Sequence, residues 1–247
     1  SDLFTKYGTL CVMSEASSFK AAVALAANNN KIQWIHTDYC EWKDTSEWTQ
    51  KITKNDAEIW NKYNNIIVLS ENIKESFCKF YPKLQDKVVV VKNLMPSQQI
   101  IEKSMANQIS TNVVKFITVG RLGAEKAYDR LIQVLVRLKK DGYTFHWTIV
   151  GDGPEMDCIQ EMLIDESLEK FVFLAGSQRN PFTYVRESDV FALLSYYEGL
   201  PNTIYESLIL GVPVLATNVG GISTQVEDGN NGWLVENDES SIYNGIK

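Results

Sequence analysis

Short apolar runs alternate with stretches of helix length along most of the chain, and this alternation constrains the fold more than any other feature. TLCVM, KIQWIHT, NNIIVLS and KVVVVKN stand in the first part; VVKFITVG, FHWTIVG, FVFLAG, DVFALLS, VPVLAT and GWLVEN stand in the second. Near-continuous apolar runs suit strands covered on both faces. The intervening stretches predict helices over 17–30, 56–63, 71–80, 128–140, 155–165 and 202–210, with short ones after Pro181 and over 222–226. Strands alternating with helices predict an α/β fold built on parallel sheets. The 247 residues allow one large domain or two modest ones. With 45% hydrophobic residues the chain can bury a sizeable core.

The stretch 96–112 is poor in apolar residues and reads as an irregular connection. The expected organisation is a first domain over 1–95, a linker over 96–112 and a second domain over 113–247. The first part has few strands for a Rossmann-like domain, and the sequence ends within the helical pattern DESSIYNGIK. An incomplete first domain and a trimmed C-terminus are therefore expected. Between 38 and 55 the chain is polar and rich in tryptophan, and no regular element is predicted there.

Charge and motif content exclude several function classes. A net charge of −7 argues against a general nucleic-acid binder, while leaving room for a local basic site that takes a phosphate. Cys11, Cys40, Cys78 and Cys158 form no C-x-x-C pair and read as free thiols of a reducing compartment. No apolar run approaches the roughly 20 residues of a membrane span, and SDLFTKYGTL lacks the pattern of a signal peptide. A cytoplasmic location is expected. No D-x-D, H-E-x-x-H or Cys/His cluster is present, so no metal and no cofactor are expected.

Three segments carry chemistry. In SYYEGLPNTIYESLILGVPVLAT an apolar strand runs into a loop holding Glu198, Gly199, Leu200 and Pro201; a helix from Asn202 then carries Glu206. Parallel α/β sheets bind ligands beyond the carboxyl ends of their strands. A helix N-terminus there offers backbone N–H groups and partial positive charge to a phosphate, and glycine permits close backbone approach. Carboxylates suit sugar hydroxyls, because they accept directional hydrogen bonds. Glu206 as a surface helix residue and Glu198 as a solvated loop acid are the competing readings. In VGRLGAEKAYDRL a strand ends at Gly120, and Arg121 and Lys126 occupy the turn before the next helix, a pair suited to a diphosphate. The IVGDGP segment places Gly151 after a strand; a plain tight turn explains it equally well. His36 closes an apolar strand, where a structural histidine is the commoner case. Trp42, Trp48 and Trp60 read as ordinary packing, with a partner- or lipid-facing surface as the alternative.

R-x4-K (Arg121, Lys126) together with E-x7-E (Glu198, Glu206) resembles the retaining glycosyltransferases of family 4. VGDGP, Asn180-Pro181, GVPVLATNVGG and DGNNGWLV share the likeness. It is dense over 113–236, similar to that family's donor-binding domain, and looser over 9–95, where WIHTDY matches a strand end at which the family places a histidine. The resemblance implies a GT-B fold of two Rossmann-like domains and sugar transfer from a nucleotide-diphosphate sugar. The acceptor would be a glycan, a lipid-linked glycan or a protein, and anomeric configuration would be retained. It implies that Arg121 and Lys126 bind the diphosphate, and that Glu198 and His36 face the donor sugar. Gly120, Gly199, Leu200, Asn202 and Gly151 would add contacts, Glu206 would hold the ribose, and Asn180 would lie near the base. Two departures stand out: Ala127 occupies a position where the family often has glycine, and the family's N-terminal glycine loop has no match. A non-catalytic donor-binding or partner subunit, and an epimerase or phosphorylase of the same architecture, are the alternatives. Membrane contact and oligomeric state stay open.

Overall fold

A computed structural model describes residues 4–27, 30–105 and 113–247. The chain divides into two units, Ser1–Asn93 with Tyr197–Leu200, and Leu94–Tyr196 with Pro201–Lys247.

The first unit runs β1 (Thr9–Val12), α1 (Phe19–Ala24), β2 (Asn30–Trp34), α2 (Tyr39–Trp42), α3 (Glu47–Thr53), α4 (Asp56–Trp60), β3 (Asn65–Val68), α5 (Glu71–Phe80) and β4 (Val88–Val90). Among the described residues its strands form one parallel sheet in the order β1-β2-β3-β4. Tyr39, Trp60 and Phe77 are fully buried beside it, with ring centroids 4.7 Å (Tyr39–Trp60) and 5.5 Å (Trp60–Phe77) apart. The Asp56 carboxylate is buried too; it accepts from the Tyr39 hydroxyl at 2.6 Å and pairs with Lys20 Nζ at 2.7 Å. Trp60 is thus a core residue, whereas Trp48 is 58% exposed.

Two expectations for this unit need correction. The helix predicted over 17–30 ends at Ala24; Leu25 is 75% exposed, so the apolar run does not continue an inward face, and residues 28 and 29 lie outside the described ones. The stretch 38–55 holds two short helices rather than irregular chain. Asp38 caps α2 by accepting from Cys40 N and Glu41 N. Ser46 caps α3, accepting from Thr49 N at 3.1 Å while its own N–H donates to Thr49 Oγ1 at 3.0 Å. This is a capping box closed by threonine where Glu or Gln is the usual signature.

The second unit runs α6 (Ser97–Lys103), β5 (Val114–Val119), α7 (Tyr128–Lys140), β6 (Phe145–Val150), α8 (Met156–Asp165), β7 (Val172–Gly176), α9 (Phe182–Arg186), β8 (Val190–Leu193), α10 (Asn202–Ile209), β9 (Val214–Thr217), β10 (Gly232–Val235) and α11 (Glu239–Ile246). All described strands are parallel, in the order β10-β9-β8-β5-β6-β7. Successive strand residues face opposite sides, and the two cores follow that rule. Phe116, Ala192 and Leu215 pack with α7, α8 and α11; Ile117, Phe191, Leu193, Val214 and Ala216 pack with α6, α9 and α10. The expected linker is helical over Ser97–Lys103, because Ile100, 2% exposed, joins the second of these cores. Residues 106–112 of that linker lie outside the described ones.

The chain enters this sheet at β5, steps through β6 to β7, then returns to β8 on the other side of β5 and steps through β9 to β10. Strand order therefore reverses between β5 and β8. Loops leaving the carboxyl ends of two strands at such a reversal diverge to opposite faces and open a crevice.

Candidate functional site

The β5–α7 loop is held by backbone contacts with the loop after β6. Gly120 N–H donates to Val150 O at 3.0 Å and Leu122 N–H to Asp152 O at 2.9 Å. A side chain on Gly151 would overlap the Gly120 carbonyl oxygen, and one on Gly153 the Leu122 carbonyl oxygen. The glycines of GDGP are thus explained by backbone packing. Lys126 folds back over Gly120: a Cβ there would lie 3.5 Å from Lys126 Cε and 3.9 Å from Nζ. The Arg121 side chain is 69% exposed, and its Nε stands 3.9 Å from Glu125 Oε1, a solvated pair of small energetic consequence. Ala127, fully buried, follows at φ 54° and ψ 43°. Glycine reaches this left-handed conformation without strain, whereas alanine pays roughly 1–2 kcal/mol for it.

The β8–α10 loop leaves the adjacent strand at the same edge. Tyr196 N–H donates to Glu125 O at 2.9 Å and so joins the two loops directly. Pro201 precedes α10 in an extended conformation and provides no side-chain cap, and its carbonyl accepts from Gln225 Nε2 at 2.9 Å. The first turn of α10 faces this edge with the positive end of its dipole. Glu206 lies in the second turn, half-buried, and burial pushes its carboxyl above the usual carboxylate range. Beyond β7, Asn180 Nδ2 donates to Lys103 O at 2.8 Å, and its Oδ1 is buried without a partner.

His36, Glu198, Gly199 and Leu200 belong to the first unit. Thr37 and Gly199 form an antiparallel bridge, and Asp38 N–H donates to Glu198 O at 3.1 Å. A Cβ on Gly199 would overlap the His36 carbonyl oxygen, so the close approach its glycine permits is to this backbone. The His36 N–H donates to Glu15 Oε2 at 3.2 Å, the Thr37 hydroxyl to Glu15 Oε1 at 2.5 Å, and the His36 ring lies parallel to Trp34 at 6.0 Å.

The structure therefore brings Gly120, Arg121, Lys126, Gly151, Asn180, Asn202 and Glu206 to the carboxyl edge of one sheet. Sequence reasoning missed Glu15, which anchors the His36 segment, and Arg130, Tyr196 and Asn237, which hold the β8–α10 loop. A lone acid in a loop and an arginine in an amphipathic helix both read as solvated groups. No periodicity or spacing distinguishes them from such groups.

The family model described as "Glycosyl transferases group 1" matches residues 99–246, more than half of the chain. The poly(ribitol-phosphate) alpha-N-acetylglucosaminyltransferase of Staphylococcus aureus is 28% identical over 213 residues, which cover 85% of this chain and 41% of that protein. The N-acetylgalactosamine-N,N'-diacetylbacillosaminyl-diphospho-undecaprenol 4-alpha-N-acetylgalactosaminyltransferase of Campylobacter jejuni is 30% identical over 196 residues, 78% of this chain and 50% of that one. A crystal structure of an S. aureus TarM variant with fondaparinux, alpha-GlcNAc-glycerol and UDP superposes with a TM-score of 0.72 at 25% identity. The match covers 89% of this chain and 43% of that one. The chain spans about half the length of the curated relatives it matches. Among its described residues no helix is long and apolar enough to cross a membrane. The α/β architecture with its parallel sheets is of the GT-B type, and the chain belongs to the glycosyl transferases of group 1.

Proposed function

We propose that the chain carries the donor site of a retaining hexosyltransferase. The enzyme moves a sugar from a nucleoside diphosphate to a glycan, lipid-linked or protein acceptor. One observation supports this above the others: the loops bearing Arg121 and Lys126 on one side, and the start of α10 on the other, leave adjacent parallel strands where the strand order reverses. Cleavage of the anomeric C–O bond passes through an oxocarbenium-like state as negative charge grows on the diphosphate. Groups that bind that charge more tightly than the ground state lower the barrier. Arg121, Lys126 and the α10 amides take this role, with Gly120 and Gly151 shaping the loop floor. Glu206 holds the ribose, and Asn180 lies on the side of the base. His36 and Glu198 face the donor sugar, with Gly199, Leu200 and Asn202 completing the contacts.

The two cations supply the charge that a divalent ion supplies in other transferases, so turnover is expected to persist in EDTA. The names of both relatives specify an α-linked product, which is retention when the nucleotide donor is itself α-linked. Lipid-linked and polymer acceptors suit a reaction on the cytoplasmic side of a membrane, with peripheral contact to it.

A thermal-shift screen of UDP-, GDP- and ADP-sugars tests the reading. A ligand bound by the native state alone, at about 100 times its Kd, stabilises by roughly 2.7 kcal/mol. One nucleotide series is expected to raise the melting point, and Lys126→Ala to abolish the rise while leaving the unliganded melting point in place. No shift with any series would overturn the proposal.

A further inference from the structure

The three residues between the end of β8 and the acid-bearing segment that starts at Tyr197 are held in an unusual way. Each of their carbonyl oxygens accepts a hydrogen bond from a side chain, and each side chain comes from a different element. Arg130 Nη2, on α7, donates to Leu194 O at 2.6 Å. Thr217 Oγ1, at the end of β9, donates to Ser195 O at 2.7 Å. Asn237 Nδ2, after β10, donates to Tyr196 O at 2.9 Å. The Tyr196 N–H meanwhile donates to Glu125 O, one residue before Lys126. Arg130 ties these anchors together. Its Nη1 donates to Asn237 Oδ1 at 2.7 Å and to Asn237 O at 3.1 Å. Its guanidinium carbon lies 4.4 Å from the centre of the Tyr196 ring, whose hydroxyl donates to Asp129 at 3.0 Å.

A mostly buried guanidinium whose two terminal nitrogens donate to two backbone carbonyls and a side-chain amide is not a solvated helix residue. It makes no ion pair among the described residues that would explain its burial as charge neutralisation. Its planar fork instead fixes the separation of Leu194 from Asn237, and the tyrosine ring stacked on it fixes Tyr196. Since a misplacement of about 1 Å can cost on the order of 100-fold in rate, the chain leading into an acid loop is a place where such rigidity acts on turnover.

We propose that Arg130 is a positioning residue: with Asn237 it clamps residues 194–196, and so sets where the segment bearing Glu198 begins. The consequence for turnover rests on the donor-site reading above; the clamp itself does not. Arg130→Gln and Arg130→Lys are compared with Asn237→Ala, which removes the clamp from its exposed end and keeps α7 intact. In hydrogen-exchange mass spectrometry, peptides over 194–200 are expected to exchange at least about tenfold faster in Arg130→Gln and Asn237→Ala, with β5 and β6 unchanged. With UDP-N-acetylglucosamine as probe, kcat is expected to fall roughly 10- to 100-fold, by the same positioning argument. UDP affinity should stay within about threefold, because the diphosphate contacts are untouched, and Arg130→Lys should recover part of the rate.

Unchanged exchange over 194–200 overturns the clamp. A UDP affinity that falls in step with kcat also overturns it, because Arg130 would then bind nucleotide directly. Faster exchange with unaltered kcat refutes the link to turnover. A wild-type protein that neither binds UDP nor turns over the probe sinks the donor-site reading instead, and the exchange comparison then decides the clamp alone.

Discussion

The two units bury different chemistry. The core of the first is organised around polar atoms: the Lys20–Asp56 pair, the Tyr39 hydroxyl on that carboxylate, and Gln33 accepting from Trp60 Nε1 at 3.3 Å. The cores of the second are built of aliphatic and aromatic side chains on both faces of the sheet, and Arg121, Lys126, Asn180, Asn202 and Glu206 stand at its carboxyl edge. A buried polar network is specific but fragile, since removing one member strands the others in a medium of low dielectric. An apolar core tolerates loss at its rim. The second unit can therefore carry half-buried polar groups at the edge without endangering its fold, and that freedom lets the edge serve a ligand.

The largest effect expected from breaking this contrast comes from Asp56→Ala. It leaves the Lys20 ammonium and the Tyr39 hydroxyl buried without their partner, at a cost of about 3–5 kcal/mol. Urea unfolding followed by tryptophan fluorescence should show it, because Trp34, Trp42, Trp48 and Trp60 all lie in the first unit. A parent-like midpoint would show that the network contributes little. Next comes Lys126→Ala, at the rim of the second unit. The barrier to sugar transfer should rise by about 3 kcal/mol, a loss of 100-fold or more in kcat, with the unfolding midpoint unmoved. A midpoint that falls along with kcat would assign Lys126 to the fold.

Ala127 probes the seam between core and edge. It is buried in a left-handed conformation, so Ala127→Val should destabilise by about 2 kcal/mol or more, as branching at Cβ is disfavoured there. Ala127→Gly should be near neutral, because relief of strain is offset by a lost methyl contact of about 0.8 kcal/mol and by greater freedom of the unfolded chain. Equal melting points for the valine variant and the parent would refute the backbone assignment.

Glu206→Gln gives the smallest effect and the sharpest sign. Burial raises the Glu206 carboxyl pKa in the folded chain, so the native state holds this proton more tightly than the unfolded state does. Stability from this group is then present below the unfolded pKa of about 4.3 and is lost as pH rises through the folded value. Glutamine escapes that loss. The variant should melt higher than the parent at pH 7, the gain should vanish near pH 4, and nucleotide-sugar affinity should drop. A variant less stable at neutral pH would mean that the ionised carboxylate has a stabilising partner.

Much of the second unit is legible in the sequence because both of its levels agree. Tyr128–Lys140 reads as a helix from its apolar spacing, and the structure forms it over those residues for the same reason: Leu131, Ile132, Val134, Leu135 and Leu138 all face a core. Gly211 ends α10 at φ 75°, the conformation for which glycine is suited. The first unit is less legible where polar side chains specify it. α2 and α3 depend on caps from Asp38 and Ser46, and their apolar content is too small to show a period. α6 is overlooked because one isoleucine, Ile100, carries its burial. In the candidate site, the places of Arg121, Lys126, Glu198 and Glu206 in strand-to-helix segments, and the family resemblance their pattern carries, point to these residues. The clamp of Arg130, Thr217 and Asn237 on successive carbonyls is set by tertiary contacts between residues up to 107 positions apart, and no local pattern records it.

The most direct test is hydrogen exchange with and without a saturating UDP-sugar. If the reversal point between β5 and β8 holds the donor, protection should concentrate in peptides over 120–127 and 202–206, and Lys126→Ala should erase it. Protection centred elsewhere, such as the cavity of the first unit lined by Phe80, Pro82 and Leu84, would contradict the assignment.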